Sequence, residues 1–146
     1  GPEREVLEKQ AQELNVNVCF LGPIYDEERL AVLFMKSIAV VSPGKVGLLA
    51  IHALGYGTPV ISHDDLDQQM PEVEAITPGV TGILFRHGEI QKLVVAMRHF
   101  LDINDSLAKR EVCRASAIAR IQQDFNSKSQ VEKITTALDT VFWRAD

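Results

Sequence analysis

The feature that most constrains this chain is the stretch from Ser42 to Ile61. It is typical of a strand end, a glycine-containing turn, an apolar helix over 48–54, a tight turn and the start of another strand. Gly44 and Gly47 leave backbone N–H groups uncovered where that helix begins, so an anionic group can approach there. Because the helix is apolar on almost every face, we expect it to be buried.

Strand-like and helix-like patterns alternate along the chain. The predicted strands are 16–21, 38–41, 60–61 and 81–85, and the predicted helices are 3–14, 27–37, 48–54, 71–76, 88–101, 104–123 and 127–143. Such alternation favours parallel strands joined by right-handed crossovers. We therefore expect an α/β fold, a Rossmann-like three-layer sandwich with a mainly parallel sheet of about four strands and additional C-terminal helices.

Two of these helices have a clear apolar stripe that we expect to face the core. The stripe residues of the first are Ile90, Leu93, Val94, Met97 and Leu101, and those of the last helix are Val131, Ile134, Leu138, Val141 and Phe142.

Composition excludes several classes of protein. The 146 residues suffice for one domain, and a net charge of -5 without a basic stripe argues against nucleic-acid binding. Cys19 and Cys113 lie in no metal or redox spacing, and we interpret both as buried thiols in a reducing compartment. With no apolar run of about 18 residues and no visible signal peptide, we expect a cytoplasmic location.

In parallel sheets the ligand crevice lies beyond the carboxyl ends of the strands, so 22–25, 42–47 and 62–67 should gather there. The start of the helix at Gly47 is a candidate phosphate cradle, although glycines before helices also make ordinary turns. Lys45 either neutralises a phosphate charge or is a solvated loop lysine. His52 is either a hydrogen-bonded core residue or a ligand contact.

Acidic residues follow the third predicted strand. Asp65-Leu66-Asp67 matches the Asp-x-Asp pattern that other sugar transferases use for a metal, but the pattern arises often by chance. We interpret it as a solvated acidic loop and expect no metal or other cofactor. Glu72 is interpreted as a residue that compensates the dipole of a short helix.

The order of motifs resembles the carboxyl-terminal half of retaining glycosyltransferases of the two-Rossmann-domain (GT-B) type, which carry a glycosyltransferase group 1 domain. The resemblance covers 1–143 and rests on these segments: Phe20-Leu21-Gly22, 28–34, 42–60, Pro71-Glu72-Val73 and 79–85. It implies a donor site for a nucleotide-diphosphate sugar of the UDP or GDP type.

The resemblance also implies roles for particular residues. It places the base against Gly22, Pro23, Ile24 and Tyr25, the diphosphate against Gly44, Lys45, Val46, Gly47 and Leu48, and the ribose against His52. Two positions depart from the family pattern, since Gly44 and His52 stand where the family usually has a pair of glutamates. No residue of this chain is assigned a catalytic role.

The family's donor domain begins with further strands, and an amino-terminal domain binds the acceptor. We therefore expect residues 1–146 to be the donor-binding fragment of a longer cytoplasmic hexosyltransferase, inactive alone, that builds a polysaccharide or glycolipid. The missing domain would bind a glycan or glycolipid acceptor, and the full enzyme would contact a membrane peripherally. The alternatives are a nucleotide-sugar-binding module without transfer activity, a related two-domain sugar epimerase, and a Rossmann-like domain with another ligand.

Overall fold

A computed structural model describes residues 1–104 and 106–142 of the chain. The chain divides into two compact units, of which the first spans Gly1–Val32 and the second begins at Leu33. The predicted end of the last helix at position 143 lies outside the described residues.

The first unit contains helix α1, Arg4–Glu13, and an extended connection without a described strand. The expected strand over 16–21 is therefore wrong. Val16 and Val18 are both about half exposed, so the short apolar run that predicted a strand is not buried. A short run of β-branched residues indicates a local preference, but a strand also needs a hydrogen-bonded partner. Helix α2 starts at Glu27, and Asp26 caps it by accepting a hydrogen bond from the Arg29 N–H at 2.8 Å.

The remaining elements follow in the order expected of an α/β fold. They are α2 (Glu27–Lys36), β1 (Val40–Val41), α3 (Leu48–Gly55), β2 (Val60–His63), the 3-10 helices Leu66–Gln68 and Pro71–Ala75, β3 (Gly82–Phe85), α4 (Ile90–Asn104), α5 (Leu107–Asp124) and α6 (Ser127–Phe142). The strands form a parallel sheet in the order β1-β2-β3, with Val60 opposite both Val40 and Gly82. The Rossmann-like α/β architecture is confirmed, with three described strands rather than about four.

The sheet separates two apolar clusters. Val60 packs with the α3 residues Ala50, Ala53 and Leu54, while its neighbour Ile61 packs with Phe100 of α4. Successive strand residues point to opposite faces of a sheet, so β2 contributes to both clusters. This gives the three layers α3, sheet and α4, with α5 packed against both helices. The close pairing of β2 and β3 requires glycine at Gly82, where a Cβ would lie 2.1 Å from the Val60 carbonyl oxygen.

Several expectations about burial are wrong. α3 is buried on only one face, and Leu48 at its start is 72% exposed. On α4 the buried residues are Ala96 and Phe100, whereas Ile90, Met97 and Leu101 point outward. The whole stripe of α6 is at least half exposed: Val131, Ile134, Leu138, Val141 and Phe142. Cys19 is also exposed and Cys113 is only partly buried. Helical periodicity identifies a stripe, but not which neighbour covers it.

Candidate functional site

The candidate site is the turn between β1 and α3. Gly47 is the N-cap of α3 and has φ +50° and ψ −150°, a backbone conformation that residues other than glycine rarely adopt. A Cβ on Gly47 would approach only Met70 Cγ, at 3.9 Å, so glycine is required here by the backbone and not by crowding.

The first amides of α3 are open. Within the described part of the chain, the N–H groups of Gly47, Leu48 and Leu49 donate no hydrogen bond, whereas the Ala50 N–H donates to the Gly47 carbonyl at 3.0 Å. Unpaired N–H groups and the positive end of the helix dipole together favour an anion. The turn therefore presents main-chain donors at the carboxyl end of β1, where the sequence predicted them.

One amide of the predicted cradle is already engaged. The Val46 N–H donates to Gln69 Oε1 at 3.0 Å. The Gln69 Nε2 in turn donates to Ser62 Oγ at 2.8 Å and to the carbonyls of His63 and Gly44 at 3.2 and 3.3 Å. A single side-chain amide thus ties the turn after β1 to the end of β2.

Ser62 also supports this turn by a hydrogen bond. It is fully buried on β2, and its hydroxyl donates to the Ser42 carbonyl at 2.9 Å. The sequence placed Ser62 in a loop and assigned no role to Gln69. No local sequence pattern indicates these roles. Ser62 hydrogen-bonds a residue 20 positions away, and Gln69 hydrogen-bonds one 23 positions away.

The other members of the predicted diphosphate site differ in exposure. The Val46 side chain is buried in the α3 cluster, so only its backbone faces the turn. Lys45 and Gly44 are exposed, and a Cβ on Gly44 would meet nothing within 4 Å. Their roles toward a diphosphate remain predictions.

His52 lies one helical turn beyond Leu48 and packs against aromatic rings. Its ring centroid is 5.1 Å from that of Phe34 and 5.5 Å from that of Tyr56. Phe34 and Tyr56 are themselves stacked at 5.8 Å. These contacts fix the orientation of a partly buried imidazole, which suits either a structural histidine or one held ready for a hydroxyl group.

The acidic loop after β2 forms a small polar cluster. The ring centroids of His63 and His87 lie 4.3 Å apart. His87 Nδ1 is 3.2 Å from Asp65 Oδ2, and the Asp65 N–H donates a hydrogen bond to His63 Nδ1 at 3.2 Å. The pKa of the Asp65 carboxyl is lowered, and the largest cause is the hydrogen bond from the Gln68 side chain. Desolvation opposes this shift, and the interactions with His87 add smaller lowering effects.

A metal site in a protein needs several suitable side chains arranged around one point. Over residues 1–104 and 106–142, no group of three or more His, Cys, Asp or Glu side chains has a metal-binding arrangement. Glu72, in the 3-10 helix that packs on α3, has one carboxylate oxygen buried without a partner in this described region.

The predicted base-binding segment belongs to the first unit. Gly22 has φ +69° and Tyr25 is 91% exposed. Gly22, Pro23, Ile24 and Tyr25 remain a prediction as contacts of the base.

Comparison with known proteins finds similarity to a protein family and to a solved structure. Residues 1–120 match the family described as Glycosyl transferases group 1. The chain is also similar to the solved structure of sucrose-phosphate synthase from Thermosynechococcus elongatus, with 27% sequence identity and a TM-score of 0.74. That match covers 99% of this chain and 36% of the synthase chain, so the present chain spans about a third of its length. No curated protein matches the chain.

A helix needs about 20 predominantly apolar residues to cross a bilayer. Among the described residues, none of the helices combines sufficient length with sufficient apolar character to do so.

Proposed function

The chain belongs to the glycosyl transferases group 1 family, and on that premise we propose that it binds the nucleotide-diphosphate sugar of a hexosyltransferase. The diphosphate lies at the start of α3, in contact with Gly44, Lys45, Val46, Gly47 and Leu48. His52 hydrogen-bonds the ribose, and Gly22, Pro23, Ile24 and Tyr25 contact a uracil or guanine base.

The observation that supports this proposal most strongly is the pair of unpaired amides at Gly47 and Leu48. They lie where α3 starts, beyond the carboxyl end of a parallel strand, which is the usual ligand edge of such sheets. Donors fixed in this way stabilise the negative charge that develops on a leaving diphosphate. The helix end and Lys45 supply positive potential, so we propose that the donor needs no metal ion here.

Transfer requires more than this chain. We propose that the acceptor, a glycan or glycolipid, binds to another part of a longer cytoplasmic protein that serves polysaccharide or glycolipid synthesis. This chain alone then binds the donor without turnover. In the longer protein, holding the donor and the acceptor close together and correctly oriented supplies a large part of the rate enhancement.

A binding module without transfer activity is the second candidate. It is favoured by Gly44 and His52, which stand where the family usually has two glutamates. Gly44 offers no side chain to the donor sugar, and a neutral imidazole is a weaker partner for ribose hydroxyls than a carboxylate.

Calorimetric titration of the chain with UDP-glucose and GDP-mannose tests the binding proposal. We expect heat of binding with at least one of them, reduced in Gly47→Ala and unchanged in the control variant Gly55→Ala at the other end of α3. Absence of binding by every nucleotide sugar contradicts it. Product formation by the longer protein then separates a transferase from a module.

A further inference from the structure

A cavity with a volume of about 430 Å³ lies in the second unit. Its walls are the turn before β3, the second half of α4 and the first half of α5. Most of its lining is apolar, contributed by Val80, Ile83, Phe100, Ile103, Val112 and Cys113. The volume falls within the roughly 300–1,000 Å³ of small-molecule sites in proteins.

The cavity is separate from the candidate donor site. It adjoins Gly82, the first residue of β3, whereas the donor site follows Val41, the last residue of β1. Because the strands are parallel, these two places lie at opposite ends of the sheet. Occupancy of the cavity therefore does not depend on the proposed donor binding.

The Cys113 thiol and the Ser116 hydroxyl, which both line the cavity, already have hydrogen-bond partners. The Cys113 thiol donates to the Val80 carbonyl at 3.2 Å, and burial raises the pKa of this thiol. The Ser116 hydroxyl donates to the Val112 carbonyl at 2.8 Å. A ligand in this space consequently meets alkyl and aromatic surface and few unsatisfied hydrogen-bonding groups, which suits a flexible hydrocarbon chain.

Among the described residues, the lining has one cationic side chain, Lys109, and no carboxylate. Lys109 lies in the first turn of α5, where it forms no ion pair with any described residue, and His99 lies on the facing helix. α5 has eighteen residues and starts at this side of the cavity, so its dipole adds positive potential there. Charge complementarity thus favours a ligand with an anionic group.

We propose that this cavity binds a single-chain anionic amphiphile of the fatty-carboxylate class. The alkyl chain lies between Phe100, Ile103 and Val112, and the carboxylate pairs with Lys109. The ligand is a monomer taken from solution and not a lipid within a bilayer, because the cavity has room for one chain.

Sodium decanoate below its micellar concentration is the probe. We expect calorimetry on the 146-residue chain to show one site. Lys109→Glu should weaken binding roughly fivefold, the effect of a partly exposed charge pair, whereas Lys128→Glu on α6 should leave it unchanged. Ala108→Trp, at an exposed lining position, should fill the cavity and abolish binding, with circular dichroism confirming that the variant is folded.

Alkylation gives an independent readout. Decanoate should slow the reaction of Cys113 with iodoacetamide and leave that of the exposed Cys19 unchanged. The proposal is overturned if decanoate does not bind, if decyltrimethylammonium binds equally well, or if Ala108→Trp binds decanoate normally. It is also overturned if the chain binds phosphatidylglycerol vesicles but not the monomer, or if the cavity is closed by dimerisation and decanoate leaves Cys113 unprotected.

Discussion

The side-chain amide of Gln69 accepts a hydrogen bond from the Val46 N–H at 3.0 Å. This contact joins the loop after β2 to the turn that precedes α3, and the Gln69 Nε2 completes the junction with bonds to Ser62 and two carbonyls. The turn is thereby held with the Gly47 and Leu48 amides open while the Val46 amide is satisfied. The anion site at rest therefore has two open amides from the three expected at Val46, Gly47 and Leu48.

Replacement of Gln69 should destabilise the protein and loosen this turn. Gln69→Leu leaves the Val46 N–H and the carbonyls of Gly44 and His63 without this partner, and we expect a loss of about 1–3 kcal/mol in the free energy of unfolding. Urea denaturation measures it. The matched control is Gln68→Leu, since Gln68 is exposed and its side chain hydrogen-bonds the Asp65 and His87 side chains. Equal effects of the two substitutions would contradict the bracing role of Gln69.

Gly47→Ala should weaken donor binding and cost some stability. Its φ of +50° is unfavourable for alanine by roughly 1–2 kcal/mol, and the added Cβ crowds the approach to the open amides. Gly55→Ala, at the other end of α3, adds a methyl group in open space and should leave UDP affinity unchanged. Unfolding curves and titration with UDP check both variants, and a Gly47→Ala protein with full UDP affinity would show that phosphate does not approach this turn.

His52 can be tested with two ligands that differ only in the nucleoside. We expect His52→Ala to weaken UDP binding and to leave inorganic pyrophosphate binding unchanged, because only UDP has a ribose for the imidazole to contact. His52→Gln should retain part of the UDP affinity through its amide. If His52→Ala instead unfolds the domain, the packing against Phe34 and Tyr56 is the main role of this residue.

Asp65 gives a prediction about pH. Its folded-state pKa is lowered, so its contribution to stability is present above the unfolded-state pKa, about 3.9, and is lost as the pH falls through the folded-state value. Because the Gln68 hydrogen bond is the largest cause, Gln68→Leu should raise the pKa of Asp65 more than His87→Gln does. A carbon-detected NMR titration of the Asp65 carboxyl measures both shifts, and the reverse order would contradict the assignment of cause.

Much of the second unit could be predicted from sequence because its signals are local. The apolar run at Val60-Ile61 and the glycines around α3 each specify an element through neighbouring residues. The family resemblance was likewise specific, because it rests on the order of several motifs.

The remainder depends on contacts between distant residues. Nothing near Gln69 indicates that its amide reaches the Val46 N–H, and the stripe of α6 does not reveal that it is exposed among the described residues. The residues 16–21 had a strand-like composition but form no described pairing. Pattern alone identifies which side chains could be buried, whereas the partner decides whether they are.

The most direct test of the central claim follows backbone amides by nitrogen-15 NMR during titration with UDP. If the open start of α3 holds the diphosphate, the Gly47 and Leu48 amide signals should move most, and inorganic pyrophosphate should reproduce those shifts. Shifts confined to other residues, with Gly47 and Leu48 unmoved at saturation, would contradict the account.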